Sequence, residues 1–468
     1  MSIKSKCKNS PNFIKYTLQF LYKFIPQSFI KGKEYTIIYN DIYNNLKKTE
    51  KYTNEQMENL TQTKLKNLLQ DIYLNVDFYK ELFDKHNINV YSDDILKEYK
   101  RIPFSTKALI RDNYVKLCSK KYDKKKLKTE KTGGTTGVPL EFYIDPMEWA
   151  VENAFVQNMY DRIGYKNGMR TVVLRGNKVN INEKKDIFWE RKIHFNELIM
   201  SSFSLNKATV HIYLNKIKQF KPVCIKAYPS SLNILAEYIN EKNIQSDFKF
   251  IKGIILASES IYDFQREGFK NAFKNAKVFS FYGHTEHGCI AGECEYNTAY
   301  HIQSEYGYVE LIDDDGNEVL EDGKIGEIVC TSFINNVTPF IRYRTGDMAV
   351  YSSEVCKCGR AYKLLKKIEG RKQDFFIDIN GDKINYIQHD AAVTTIKDKI
   401  KAYQYEQNEP GKLLLKIEPK SKLSDSDILE VKNNFNIYYS KFELEIREVE
   451  NIERTSRGKF LYFIQNIK

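Results

Sequence analysis

The feature that most restricts the fold of this 468-residue chain is a regular alternation of short β-rich and longer helical segments between residues 171 and 283. The apolar residues of the helical segments recur at three- and four-residue steps. The strand-like runs are TVVLRG, ELIMSSF, PVCIKAYP, GIILAS and VFSFYG, and the helix-like runs are ATVHIYLNKIKQF, SSLNILAEYINEK and IYDFQREGFKNAF. Such alternation predicts βαβ units around a mostly parallel sheet, and therefore an α/β protein.

The pattern of apolar and polar residues changes on both sides of this region. Residues 54–113 have a helical pattern, whereas from Tyr306 apolar and polar residues alternate around the turn signals DDDGN and EDGK, which is typical of antiparallel strands. The chain is also too long for one compact core. We predict a large N-terminal domain, 1–370, made of a mainly helical part (1–115), an α/β core (116–305) and a β subdomain (306–370). A small α+β domain, 371–468, follows.

Composition and charge narrow the function classes. Apolar residues make up 42% of the chain, which indicates a packed globular protein. Lysine and arginine exceed aspartate and glutamate by 12, and residues 120–131 (KKYDKKKLKTEK) form a dense basic patch that could meet phosphates. Because basic residues are common throughout and no nucleic-acid motif accompanies them, we predict no nucleic-acid partner.

The first 35 or so residues are basic and have an apolar helical periodicity. Lys15, Gln19 and Lys23 interrupt the apolar run, so it is predicted neither to span a membrane nor to act as a signal peptide. A helix that packs on the domain is the favoured interpretation, and weak peripheral membrane association is the alternative. The expected location is the cytoplasm, with the eight cysteines present as thiols or metal ligands.

A glycine- and threonine-rich loop, KTGGTTGVPLEF, runs from Lys131 to Phe142. Successive backbone N–H groups and hydroxyls can surround phosphate oxygens, so the loop is a candidate nucleotide site, with an ordinary hairpin as the alternative. It is not a Walker P-loop, because Val138 and Pro139 stand where that motif has Lys-Ser/Thr. The candidate phosphate-binding residues are Thr132, Gly133, Gly134, Thr135, Thr136 and Gly137.

Two polar loops follow predicted strands of the α/β core. ASES (Ala257–Ser260) follows GIILAS, and YGHTEHG (Tyr282–Gly288) follows the next strand. Ligands of parallel sheets bind beyond the carboxyl ends of the strands, so these loops are predicted to line a site.

Five segments, taken together and in order, resemble the signature motifs of the adenylate-forming superfamily of acyl-CoA synthetases and adenylation domains. The segments are TGGTTGVP (132–139), FYGHTEHG (281–288), RYRTGD (342–347), EGRKQD (369–374) and RTSRGK (454–459). IPFSTKALIRDN and IKAYPSSLNILAEYI further resemble the phenylacetate–CoA ligase branch and its CapK-like relatives associated with capsular polysaccharide biosynthesis. The resemblance covers most of the chain.

The resemblance implies a nucleotide site and a magnesium ion. Thr285 would contact the α-phosphate, and Glu286 would be a magnesium ligand, for which a carboxylate oxygen is suited. Asp347 would accept hydrogen bonds from the ribose hydroxyls, with Arg371 near the ribose or a phosphate. The glycine-threonine loop would hold the β- and γ-phosphates. The residues implied to lie along the adenine are Tyr282, Gly283, Ala257, Ser258 and Glu259.

The C-terminal motifs imply a catalytic lysine and a hinge. Lys459 would reach both the carboxylate and the α-phosphate as negative charge develops. At the hinge of a mobile C-terminal domain, relatives usually have aspartate where this chain has Gln373, and only Asp374 is retained. A hinge requires a tolerant backbone more than a charge, so rotation between adenylation and transfer states is expected to persist.

The cysteines are unevenly distributed. Cys294, His301, Cys356 and Cys358 would complete a tetrahedral zinc site of structural type, with Cys289 as a spare thiol, and some relatives look similar here. Unrelated buried thiols are the alternative. The four other cysteines, predicted to be ordinary apolar residues, are Cys7, Cys118, Cys224 and Cys330.

The predicted function is ATP- and magnesium-dependent activation of a carboxylic acid as its adenylate, followed by acyl transfer. Coenzyme A is the first choice of acceptor, and an amine or carrier in capsule or secondary-metabolite biosynthesis is the second. A nucleotide-binding scaffold without activity is the rival from another class. The acid pocket is expected to include Tyr228, Ser230, His284 and His287.

Overall fold

The computed structural model describes residues 32–132, 140–296, 298–371, 375–381, 383–385, 391–453 and 460–467. Among these, the chain forms two compact units. The first comprises the residues before Gly346 together with Ala349–Ile368, and the second comprises Gly346–Met348 and the residues from Glu369 onward. Three predictions remain proposals: the limits of the two domains, the division of the first domain at residues 115 and 305, and the mobility of the second unit. Residues 1–31, which make up most of the basic N-terminal segment, lie outside the described residues.

The first unit begins with helices. They are α1 (Lys33–Thr49), α2 (Asn54–Asn75), α3 (Asp77–Lys85), α4 (Ile95–Arg101) and α5 (Lys107–Asn113). Helix α2 begins at a capping box, in which Thr53 and Gln56 each accept a hydrogen bond from the other's backbone N–H. Its buried face, Leu65, Leu68, Leu69 and Ile72, is the apolar stripe that the sequence periodicity predicts. In the part of the chain that the structure describes, no helix is both long and apolar enough to cross a membrane.

A β-hairpin and a long helix follow. Strands β1 (Lys128–Lys131) and β2 (Glu141–Ile144) pair antiparallel, and α6 (Glu148–Tyr160) is the first helix of the α/β core. Thr132 lies at the neck of the hairpin: its backbone N–H donates to Leu140 O (2.9 Å), and its hydroxyl accepts from the Leu140 N–H (3.0 Å). The predicted phosphate residues Gly133, Gly134, Thr135, Thr136 and Gly137 lie outside the described residues.

The parallel part of the structure is the one that the alternating pattern predicts. Its elements are β3 (Thr171–Leu174), β4 (Trp189–Lys192), β5 (Glu197–Met200), α7 (Val210–Phe220), β6 (Cys224–Ala227), α8 (Pro229–Glu241), β7 (Gly253–Ala257), α9 (Asp263–Ala272) and β8 (Lys277–Gly283). Strands β5, β3, β6, β7 and β8 are parallel neighbours in that order. The edge strand β4 pairs antiparallel with β5. The carboxyl ends of β3, β6, β7 and β8 therefore lie along one edge of the sheet.

Six further strands extend the same sheet to twelve. They are β9 (Ile290–Gly292), β10 (Tyr300–Ile302), β11 (Gly307–Ile312), β12 (Ile325–Ser332), β13 (Tyr343–Ser352) and β14 (Leu364–Arg371). The strand order is β11-β12-β13-β14-β10-β9-β8-β7-β6-β3-β5-β4. The predicted antiparallel strands thus continue the parallel sheet through the antiparallel β8–β9 pair.

The second unit is a small α+β structure. Its elements are β15 (Phe375–Ile377), β16 (Lys383–Asn385), a 3₁₀ segment (Ala391–Lys399), β17 (Ile400–Glu409), β18 (Lys412–Pro419), α10 (Asp425–Tyr439), β19 (Glu443–Glu448) and β20 (Phe463–Gln465). Strands β19, β18, β17 and β20 form one sheet. Its core includes Phe376, Tyr405, Leu415 and Phe435, none of them exposed. The predicted α/β class, with a smaller α+β region at the C-terminal end, is confirmed.

A buried ion pair fastens α4 to the sheet. Arg342 donates to both carboxylate oxygens of Glu310, from Nε at 3.2 Å and from Nη2 at 2.9 Å. The same guanidinium donates to Lys100 O (2.7 Å) and Ile102 O (2.9 Å) at the end of α4. Glu310 is 1% exposed and Arg342 6% exposed. The first arginine of RYRTGD therefore has a structural role.

We expect Glu310→Ala to lower the free energy of unfolding by about 3–5 kcal/mol, because Arg342 would remain buried without its counter-charge. Guanidinium chloride unfolding monitored by circular dichroism measures the change. The exposed Glu321→Ala variant is the control and should shift the midpoint little. A loss below about 1 kcal/mol for Glu310→Ala, as for an exposed pair, would contradict this assignment.

Candidate functional site

Predicted adenine-side and acid-pocket residues lie together at the carboxyl edge of the sheet. Tyr228 follows β6, Ala257 ends β7 and Gly283 ends β8. Because β6, β7 and β8 are parallel neighbours in register, these three residues reach the same edge. Adjacent strands of one sheet therefore bring these three predicted residues near one another.

The loop after β7 is fixed by an interaction with helix α8. Ser258 has a left-handed backbone with φ of 73°, which is uncommon for a residue other than glycine. Glu259 accepts hydrogen bonds from Ser230 N (2.9 Å) and from Ser230 Oγ (3.1 Å) at the first turn of α8. A carboxylate at a helix N-terminus is favoured by the orphan N–H groups and the helix dipole. Ser230, predicted to line the acid pocket, thus contacts the predicted adenine loop.

The loop after β8 presents Thr285 and Glu286. The backbone closes into a turn through His287 N–H, which donates to His284 O (3.2 Å). Glu286 has its two carboxylate oxygens held from opposite sides: Oε2 lies 3.1 Å from His284 Nδ1, and Oε1 accepts from the Tyr343 hydroxyl (3.1 Å). The carboxylate is therefore oriented before any ligand binds.

The hydrogen bonds around His284 define its tautomer. The backbone N–H of Cys289 donates to His284 Nε2 (3.2 Å), so this nitrogen carries a lone pair and the proton is on Nδ1, facing Glu286. Burial by itself would raise the pKa of Glu286, but the hydrogen bonds from His284 and from the Tyr343 hydroxyl lower it to about 2. Glu286 is thus an ionised carboxylate, as a magnesium ligand must be.

The glycine that ends the YGHTEHG loop is required by close packing. A Cβ on Gly288 would lie 2.3 Å from Cys330 Sγ and 3.1 Å from His284 Cε1. A larger residue would displace the His284 ring, which orients Glu286. Close packing therefore explains why the loop motif has a glycine at this position.

His287 is buried behind the loop and is not directed into open space. It is 2% exposed, has φ of 55°, and its ring meets the Trp149 ring edge-on at 5.5 Å between centroids. Its carbonyl accepts from Ser332 Oγ (2.6 Å). Nδ1 lies 3.7 Å from Glu148 Oε2, and neither atom has a hydrogen-bond partner among the described residues. Burial lowers the pKa of His287, so the imidazole is neutral.

Glu148, at the start of α6, was not predicted from the sequence. Its Oε1 accepts from the Asp145 N–H (3.1 Å), and burial raises its pKa to about 8. At neutral pH the protonated carboxyl is therefore the favoured form, and it lies beside the neutral His287. The pair supports the loop that carries Thr285 and Glu286 from beneath.

The raised pKa of Glu148 predicts a pH-dependent stability. The native state retains this proton up to about pH 8, whereas an unperturbed glutamate loses it near 4.5, so the native protein binds more protons between these values. Its stabilising contribution is full below about pH 4.5 and is lost as the pH rises to about 8. We expect Glu148→Gln to flatten this slope in denaturant titrations at pH 5.5, 7 and 8.5. The exposed Glu354→Gln is the control, and an unchanged slope in Glu148→Gln would contradict the shift.

The predicted ribose residues interact within the second unit. Arg371 Nε lies 3.0 Å from Asp347 Oδ1, and the Arg371 side chain is 43% exposed against 12% for Asp347. Arg371 is therefore the more exposed partner of this ion pair. The other two predicted C-terminal residues, hinge residue Gln373 and catalytic Lys459, lie outside the described residues.

The second candidate centre is a cluster of three cysteines and one histidine. The potential ligand atoms of Cys294, His301, Cys356 and Cys358 all lie within 4.8 Å of one another. Cys294 Sγ is 3.5 Å from Cys356 Sγ, and Cys358 Sγ is 3.2 Å from His301 Nε2. The four side chains come from β10 and from two loops that are more than 50 residues apart in the sequence.

The chemistry of the cluster fits a zinc ion of structural type. His301 Nδ1 lies 3.1 Å from Ala299 O, which fixes the proton on Nδ1 and leaves Nε2 free to act as a ligand. Burial lowers the pKa of His301 to about 4, so the ring is neutral, and burial raises the pKa of the Cys356 thiol to about 12 in the absence of a metal. Four protein ligands leave no open position for a substrate.

The remaining cysteines lie apart from the cluster. Cys289, the predicted spare thiol, is buried and contacts His284 through its backbone. Cys118, Cys224 and Cys330 are buried, as ordinary apolar residues would be. Cys7 lies outside the described residues.

The chain is similar in sequence to proteins of one ligase branch. It is 27% identical over 411 residues to Protein CapK of Staphylococcus aureus, which covers 84% of this chain and 86% of that protein. It is 25% identical over 364 residues to the phenylacetate–coenzyme A ligase of Thermus thermophilus, covering 77% and 80% respectively. No protein-family model matches the chain.

The fold is that of an adenylate-forming ligase. The crystal structure of 2-hydroxyisobutyryl-CoA ligase in the postadenylation state, in complex with R3-HIB-AMP, has a TM-score of 0.70 at 16% identity and covers 89% of this chain and 91% of that one. Together with the sequence relatives, this confirms the predicted resemblance to the adenylate-forming superfamily and its phenylacetate–CoA ligase and CapK branch. The predicted class, an acid-activating ligase, is confirmed with it.

Proposed function

We propose that this protein activates a carboxylic acid with ATP, releasing pyrophosphate, and transfers the acyl group from the adenylate to coenzyme A. The observation that carries the proposal is the Glu286 carboxylate, ionised and fixed by His284 and Tyr343 beside Thr285 at the carboxyl edge of the sheet. The similarity to phenylacetate–coenzyme A ligases supports the reaction type. A cytoplasmic location, where both ATP and coenzyme A are available, is part of the proposal.

The chain's own residues would act on the nucleotide in distinct ways. Thr285 would donate its hydroxyl to the α-phosphate, and Asp347 would accept from the ribose hydroxyls. Glu286 would hold a magnesium ion, which supplies charge neutralisation to the phosphates when bound. Lys459 would neutralise the charge that develops between the carboxylate oxygen and the α-phosphorus. The remaining proposed nucleotide-binding residues are Thr132, the adjoining loop and the Ala257–Glu259 segment.

We further propose that Cys294, His301, Cys356 and Cys358 bind a structural zinc ion. The convergence of the four ligand atoms supports the assignment, as does the defined tautomer of His301. Around the cluster, Arg360 makes a two-bond contact with Glu295 at 2.9 and 3.2 Å and a third bond to Glu50 at 3.1 Å. The ion would thus stabilise the turn of Cys356 and Cys358 against helix α1 and the β9–β10 connection.

The acceptor is tested by product analysis. With ATP, a competent acid and coenzyme A, we expect stoichiometric AMP and an acyl thioester, detected by mass spectrometry. The rival acceptor is an amine or carrier; if it is correct, AMP release will stay slow with coenzyme A and rise with amines, giving an amide. If no AMP is released with either kind of acceptor, the result will favour the scaffold alternative.

A further inference from the structure

Arg175 stands at the edge of the sheet where the candidate site lies. It directly follows β3, whose neighbour β6 ends at Ala227 and is followed by Tyr228. The backbone N–H of Tyr228 donates to Leu174 O (3.1 Å), which holds the ends of the two strands together. Arg175 is therefore placed beside a predicted pocket residue, on the strand end that no part of the proposed nucleotide site uses.

The guanidinium of Arg175 extends across the neighbouring strand ends. Its Nη2 donates to Ile255 O on β7 at 3.4 Å, and its centre lies 5.9 Å from the Phe281 ring centroid on β8. Phe281 immediately precedes Tyr282 of the YGHTEHG loop. The guanidinium thus lies over β7 and β8, the strands that precede both predicted ligand loops.

This guanidinium is only partly satisfied: the Tyr160 side chain and Ile255 O are hydrogen-bond partners, but other donors remain. Its Nε is buried without a hydrogen-bond partner, and no carboxylate lies within ion-pair distance of it among the residues that the structure describes. An arginine has five N–H donors, and a buried donor without an acceptor is costly. By contrast, Lys226 on β6, facing the same region, lies 3.7 Å from Glu197 and 4.5 Å from the Tyr165 ring centroid.

The charged side chains on this face of the sheet have a net positive charge. Glu197 attracts both Lys226 and Arg175, so one carboxylate faces two cations. A planar guanidinium over an aromatic ring is suited to bind a carboxylate through two parallel hydrogen bonds. The missing acceptors are the kind that an anionic ligand supplies.

We propose that Arg175 binds a second anionic group on the acid substrate, distinct from the carboxylate that is activated. The substrate class is then dicarboxylic or similarly dianionic acids in preference to simple aryl or fatty acids. The inference rests on the proposed function, because it assigns selectivity to the same site. Phe281, beneath the guanidinium, would contact the carbon skeleton between the two acidic groups.

The test compares matched acids with and without the second charge. Acid-dependent ATP–pyrophosphate exchange is measured for benzoate and terephthalate, phenylacetate and 4-carboxyphenylacetate, and butyrate and succinate. The variant is Arg175→Met, which keeps the length of the side chain and removes the charge. Arg170→Met is the control: Arg170 precedes β3, lies over the Phe220 ring at 5.8 Å and donates to Phe220 O at 3.1 Å, but lies at the opposite end of the strand.

We expect wild type to prefer the diacid of at least one pair, and Arg175→Met to lose about 100-fold in kcat/KM for that diacid while its monoacid changes less than about threefold. Arg170→Met should retain the preference. Equal losses for both acids of a pair, or a wild-type preference for monoacids, would overturn the inference and leave the proposed function standing. No exchange with any acid would contradict the proposed function itself, and this inference with it. Melting temperatures of both variants identify a loss caused by unfolding.

Discussion

Glu286→Gln should reduce acid-dependent ATP–pyrophosphate exchange by about 10²–10³-fold without unfolding the protein. Glutamine has nearly the same shape, so the contact with the Tyr343 hydroxyl can persist, but the fixed negative charge is lost. In the native protein that charge is maintained by His284 and Tyr343, which together lower the pKa of Glu286 to about 2. Magnesium binds carboxylate oxygens far better than neutral amides, so the variant should also need more magnesium.

The exposed Glu321→Gln is the matched control, because the same chemical change at a surface position should leave exchange unaltered. The magnesium concentration at half-maximal exchange should rise in Glu286→Gln and not in the control. Full exchange with an unchanged magnesium requirement in Glu286→Gln would exclude this carboxylate as the metal ligand. Thermal melting separates a catalytic loss from a folding defect.

Cys356→Ser should remove one zinc ion per chain and destabilise the first unit. Binding free energies of structural zinc sites are roughly 10 kcal/mol or more, so we expect the melting temperature to fall by about 10 °C or more. Metal content is measured by inductively coupled plasma mass spectrometry on protein purified without added metal. A chelator that strips the wild-type protein should cause the same fall, and added zinc should reverse it.

Cys118→Ser is the control for this prediction. Cys118 is buried, and its sulfur lies 3.9 Å from Ser119 O. The control should retain zinc. Wild-type protein that contains no zinc, and whose melting temperature is insensitive to both chelator and zinc, would show that the four side chains form a metal-free thiol cluster.

The fold could be predicted as far as local patterns specify it. The alternating segments predicted β3, β5, β6, β7 and β8, because buried parallel strands are short apolar runs between amphipathic helices. The joining of β9–β14 to that sheet could not be predicted, since it depends on pairs such as His301 with Leu364, which are distant in the sequence. Strand pairing over such separations leaves no local signal.

In the candidate site, too, some features could be predicted from local sequence and others depend on tertiary contacts. The motif predicts a role for Glu286. Its contact with Tyr343, 57 residues away, and the Glu148–His287 pair beneath the loop depend on tertiary structure. Tyr343 does lie in RYRTGD, so that motif contained a signal. His287 was expected to line the acid pocket, and the structure places it in the buried support of the loop. The sequence shows Arg175 only as an arginine that follows a predicted strand. That its Nε has no hydrogen-bond acceptor can be seen only in the folded structure.

Acid-dependent ATP–pyrophosphate exchange in wild type and Lys459→Ala tests the formation of an acyl-adenylate most directly. A panel of aryl, fatty, amino, uronic and dicarboxylic acids is required, because the reaction is detected only with a competent acid. We predict exchange with one acid class in the wild type and its loss in Lys459→Ala, with ATP binding retained in both. Wild-type protein that binds ATP but exchanges pyrophosphate with none of these acids would contradict adenylate formation and favour a nucleotide-binding scaffold.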